Sequence, residues 1–121
     1  MKEENFHCAL KRYIHQYVIL TYKQTKKYPN DEKYGLISQD KRAAVSIMLN
    51  YVEGFARGKL GQMSNQYEMS FASLKESIYC RYLAKELEYI TINDYKEALE
   101  IKEKIGAMLY GTIEGIKRKM K

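Results

Sequence analysis

Glu4 and His7 stand three residues apart, the Glu-x-x-His spacing with which helical bundles hold paired iron or manganese ions. Such a centre needs a second pair and two further inward glutamates. His15, the other histidine, has Arg12 three residues before it, so no metal and no cofactor are expected. His7 and Cys8 are of the types that make a base and a nucleophile, but successive helical residues point about 100° apart and cannot readily pair. The glycines of "GFARGKLGQMS" lack the Gly-Lys-Ser/Thr ending and the preceding strand of a phosphate loop, and read as a helix end and a turn. Catalysis is not expected.

What remains is charge. The chain has 21 basic and 15 acidic side chains, a net charge of +6, unevenly spread. Residues 61–116 hold 6 basic and 9 acidic groups, whereas residues 1–60 hold 11 and 6. The rest of the basic excess is the tail Lys117, Arg118, Lys119 and Lys121. Cations at both ends of a chain can attract phosphate backbones or acidic protein surfaces, or simply keep it soluble. Candidate nucleic-acid contacts are Lys41, Arg42, Arg57, Lys59, Arg81, Lys85 and that tail. None forms a base-reading motif, so binding would follow the phosphates and depend strongly on salt. The 12 tyrosines could stack on bases, but Tyr13, Tyr17, Tyr51, Tyr67 and Tyr95 fall on inferred core faces.

Four helices, about residues 2–28, 39–58, 64–90 and 92–120, would position these groups in one domain, residues 1–121. The first carries Phe6, Leu10, Tyr13, Tyr17 and Leu20 at helical spacing and stops at Pro29. The second, with Ser38 as N-cap, gathers Arg42, Ser46, Asn50, Glu53 and Arg57 into one narrow polar stripe. The rest of its circumference is apolar or small, far more than the roughly 100° one core face needs. That surplus predicts an oligomer interface. The stripe itself reads either as a salt-bridge network within or between subunits, or as a groove in which Arg42 and Arg57 meet phosphates. The third helix carries Tyr67, Phe71, Leu74, Ile78 and Tyr82 on one side and Leu83, Leu87 and Ile90 on another. Thr91 caps the fourth, with Asp94 three residues on as in a capping box. Helices of this length with short connections pack most simply as an all-α antiparallel four-helix bundle.

Two cysteines, Cys8 and Cys80, make no disulfide framework, and each is expected as a buried thiol. With no apolar signal core and no uncharged run near the roughly 20 residues of a membrane span, the chain reads as cytoplasmic.

The segments "KYGLISQDKRAAVSIMLNYVEGFARG", "SFASLKESIYCRYLAKELEYITINDY" and "IGAMLYGTIEGIKR" resemble, in order, the four-helix-bundle proteins related to the 23S rRNA intervening-sequence protein. The wording that carries it is Tyr-Gly-Leu, then Gln, Arg-Ala, Ser-Ile, Asn and Glu-Gly. The chain departs at Met48–Val52, where bulkier residues would change intersubunit packing or close a shallow groove. The resemblance implies a ring-like homopentamer and a non-enzymatic accessory protein that binds nucleic acid, RNA before DNA. A related branch, the Avd accessory proteins of diversity-generating retroelements, implies the alternative of a basic scaffold that binds a reverse transcriptase with its template.

Overall fold

The computed structural model describes residues 4–121 and contains four long helices. They are α1 (Phe6–Thr25), α2 (Leu36–Ala56), α3 (Leu60–Glu86) and α4 (Ile92–Lys119), with a 3-10 turn at Asn30–Glu32. Each helix packs on its neighbours in sequence, and α4 closes against α1, which makes an all-α antiparallel four-helix bundle. The predicted order and number of helices hold; the ends shift, each for a local reason.

Asn5 caps α1 by accepting the Cys8 amide at 2.8 Å; Lys2 and Glu3, assigned to this helix from sequence, lie outside the described residues. The helix stops at Thr25, and Pro29 opens the following turn. Ser38 is not the cap of α2. The helix starts at Leu36, because the Glu32 carboxylate accepts the Leu36 amide at 3.1 Å and so replaces a hydroxyl cap. It ends where Arg57 turns extended, so α3 begins at Leu60, four residues earlier than its spacing suggested. At the other end α3 stops at Glu86. Glu88 adopts φ 64°, with its amide bonded to Lys85 and the Tyr89 amide bonded to Ala84 at 2.9 Å. This is a Schellman cap in which a glutamate occupies the position that glycine fills without strain. For α4 the expected capping box is present: Thr91 accepts the Asp94 amide at 3.0 Å and Asp94 accepts the Thr91 amide at 3.1 Å.

The core runs the length of the bundle through Leu10, Ile14, Tyr17, Ile47, Tyr51, Tyr67, Leu74, Ile105 and Leu109, all fully buried. Each such aliphatic side chain contributes about 1.5–3 kcal/mol on leaving water. Tyr13 and Tyr95 are half-buried. At Gly54 the helices α2 and α3 approach so closely that an added Cβ would stand 2.7 Å from the Tyr67 ring. The opposite side of α2 is bare, with Leu49 63%, Val52 49% and Phe55 55% exposed. Cys8 is exposed rather than buried, because its helical position faces away from this core, and Cys80 is half-buried. Among the described residues no helix is long and apolar enough to cross a membrane.

Candidate nucleic-acid interface

Antiparallel packing puts the α2–α3 connection and the C-terminus of α4 at the same end of the bundle. Arg57 and Lys59 lie in that connection, and Lys117, Arg118, Lys119 and Lys121 at that terminus. Met120 marks the juxtaposition, its methyl 4.0 Å from where a Cβ on Gly61 would stand. Two of the cations are engaged. Arg57 pairs with Glu53 at 2.5 Å, four residues back in the last turn of α2, and Lys117 with Glu68 of α3 at 3.1 Å. The Glu68 hydrogen bond holds the Lys117 pKa above its ordinary value. Lys59, Arg118, Lys119 and Lys121 are exposed and make no ion pair among the described residues. The α4 cations also face the negative end of the helix dipole, which favours their charge.

The other predicted contacts lie elsewhere. Arg42 is exposed, but fifteen residues of α2 at about 1.5 Å each separate it from Arg57, roughly 22 Å. Lys41 is half-buried, 4.8 Å above the Tyr22 ring. Lys85 stands over Tyr82 at 4.5 Å and pairs with its neighbour Glu86. The predicted set is therefore two separated groups rather than one patch.

Arg81 is not a surface cation at all. It is fully buried and pairs with equally buried Asp40, Nε to Oδ2 at 2.8 Å. It also donates to Gln24 at 2.7 Å and to Thr21. Asp40 in turn accepts from Ser77 at 2.6 Å and Tyr28 at 3.1 Å, and Ser77 meets the Tyr17 hydroxyl at 2.8 Å. Gln24 continues to the Asp94 carbonyl, so the network touches all four helices. Burial opposes the guanidinium charge, but Tyr17, Asp40 and Tyr28 outweigh it and raise its pKa. A sequence signal existed: Ser70, Ser73, Ser77 and Ala84 share its face of α3, and such small residues leave room for a long side chain inside.

The polar stripe of α2 is divided. At its middle, Asn50 bonds the Ser46 carbonyl at 2.9 Å and Ser46 meets Ser73 of α3 at 2.9 Å, an interhelical seam. At its ends, Arg42 and the Glu53–Arg57 pair face solvent. Glu4 and His7 go to separate partners, Arg12 at 2.9 Å and the Tyr51 hydroxyl at 2.5 Å.

The crystal structure of a protein of unknown function from the S23 ribosomal protein family of Bacteroides thetaiotaomicron has the same fold. Its TM-score is 0.79 at 21% identity, over 86% of this chain and 97% of that one. No protein of curated function matches this sequence. The family model described as 23S rRNA-intervening sequence protein matches residues 10–111, which include α2 and α3 entire and most of α1 and α4. The chain belongs to the 23S rRNA-intervening sequence protein family.

Proposed function

We propose that this protein is a non-enzymatic, homo-oligomeric accessory protein that binds RNA through its phosphate backbone. The observation that carries the reading is the gathering of Arg57, Lys59, Lys117, Arg118, Lys119 and Lys121 at one end of the bundle, from two segments about sixty residues apart. Several exposed cations at one end suit a polyanion, because each phosphate neutralised releases condensed counterions. The apolar strip Leu49, Val52 and Phe55 on α2 supports self-association, since its exposed area would be covered by another copy. A ring of copies would repeat the basic end around its axis and multiply the phosphate contacts.

The test is fluorescence anisotropy with a labelled RNA between about 50 and 200 mM salt, where several phosphate contacts give a log–log slope of several units. Arg57→Glu with Lys59→Glu is expected to weaken binding and lower that slope while light scattering returns an unchanged mass. Flat or absent binding by the wild type would overturn the reading and direct the search to a protein partner such as a reverse transcriptase. A scattering mass of one chain would remove the oligomer.

A further inference from the structure

Beside the basic end, α1, α3 and α4 part to form an open cleft of about 560 Å³, within the range of roughly 300–1,000 Å³ typical of small-molecule sites. Ala107, Gly111 and Gly115 of α4 line it together with Phe6 and Met63. Lys119 belongs to both the cleft and the basic end. Tyr67 lines the cleft as well. Its side chain is fully buried, and its hydroxyl has no hydrogen-bond partner among the described residues. Burial raises the pKa of that hydroxyl, so it stays protonated and available as a donor.

We propose that this cleft receives an unstacked base of a single-stranded RNA whose phosphates follow the adjacent cations. The proposal rests on the RNA-binding reading and adds to it the form of the nucleic acid. A mainly apolar lining with two glycines on one helix suits a flat ring, with Phe6, 48% exposed, as a stacking surface. A buried donor without a partner argues against a purely aliphatic guest, which would leave it unsatisfied; a base edge supplies acceptors. Lys119 then places a phosphate next to the base it serves. An RNA duplex keeps its bases stacked inside and cannot fill the cleft.

The experiment compares a labelled single-stranded twelve-residue RNA with a duplex of equal phosphate number, using two variants. Gly111→Leu adds bulk to the cleft lining at a position where the new Cβ meets nothing within 4 Å, and circular dichroism checks that the bundle is kept. Tyr67→Phe removes only the unpartnered hydroxyl. Gly111→Leu is expected to weaken single-strand binding by about tenfold, as losing one stacked base does, and to leave duplex binding and the salt slope unchanged. Tyr67→Phe is expected to weaken single-strand binding several-fold with circular dichroism and oligomer mass unaltered. A fluorescent base analogue within the single strand should change its emission with the wild type and not with Gly111→Leu. Equal binding of single strand by wild type and both variants would overturn the cleft and leave the basic end standing. An equal loss for single strand and duplex, or a changed mass of Gly111→Leu, would also overturn it, the latter marking the cleft as a contact between copies. Only absence of all RNA binding by the wild type would remove both readings.

Discussion

Replacing Arg81 with methionine tests whether the buried network holds the bundle together or is incidental to it. The substitution removes four hydrogen bonds, two of them to Asp40, and leaves that carboxylate in the core with Ser77 and Tyr28 alone. Breaking a buried pair by removing one partner costs about 3–5 kcal/mol, because the remaining charge is uncompensated. A chain of 121 residues at about 0.05–0.15 kcal/mol per residue has roughly 6–18 kcal/mol in all. The variant should therefore lose about a sixth or more of its stability, read by urea unfolding followed at 222 nm, at one fixed protein concentration because the proposed self-association would shift the midpoint. Asp40→Asn strands the opposite charge and should also be costly. In the double variant neither charge is stranded, so its loss should fall short of the sum of the singles by about 2–3 kcal/mol. Additive losses, or less than about 1 kcal/mol for Arg81→Met, would refute the network as a determinant of stability. The same variant, still folded in the absence of urea, should show an unchanged salt slope for RNA, whereas an exposed phosphate contact would lower it by about one.

Glu88→Gly should raise stability by about 0.5–1 kcal/mol, since the left-handed backbone at φ 64° costs a side-chain-bearing residue more than glycine's added chain entropy; a lower urea midpoint would oppose this. Gly54→Ala should destabilise by about 1–2 kcal/mol despite alanine's better helix propensity, because the Tyr67 ring would stand 2.7 Å from the new Cβ. Burial opposes the Asp94 charge, but the hydrogen bonds from Lys27 and Thr91 outweigh it and hold the carboxyl below its ordinary value. Its stabilisation is accordingly full above the unfolded pKa, and is lost as pH falls below about 4. Asp94→Asn should flatten the acid limb of the stability profile and leave the neutral plateau's shape unchanged. Burial pushes the Cys80 thiol up to about 11, so at pH 8 only about one molecule in a thousand presents a thiolate there. A disulfide reagent should modify exposed Cys8 first and Cys80 much more slowly, and Cys8→Ser should abolish the fast phase.

The bundle was legible because its signals are local and strong. The α4 capping box and the Tyr67–Leu74 spacing appear in the structure as the sequence implies, and α1 ends before Pro29, three residues sooner than expected. The ends of α2 and α3 were less legible, since Glu32 caps from a separate turn and Glu88 takes a left-handed backbone that glycine more commonly marks. Arg81 was misplaced for a deeper reason. A long cation on a helix is usually solvated, and only a partner distant in sequence can make its burial tolerable. That partner, Asp40, lies forty-one residues away and gives no periodic signal of its own. Thr21, Gln24 and Ser77 are inconspicuous for the same reason: their role exists only once four helices meet. The clustering of Arg57 and Lys59 with the tail is likewise a product of topology, invisible along the chain and immediate once α2 and α4 are known to end together.

The two halves of the bundle differ in character. Around Asp40 and Arg81 buried polar groups find partners on all four helices, and a second small core of Tyr28, Ala84 and Ile90 seals the connections. Such a network tolerates few alternative registers, because a shift of any helix strands a charge. The half that carries the basic tail has the reverse character. Among the described residues its cations include several without ion-pair partners, Phe6, Phe55 and Met120 stand about half exposed, and the buried side-chain atoms without a hydrogen-bond partner are Gln66 Oε1 and the Tyr67 hydroxyl. A single chain would gain stability by filling that cleft with larger side chains, as the open space at Gly111 permits. Glycine there keeps the cleft open, as the proposed base-binding role requires.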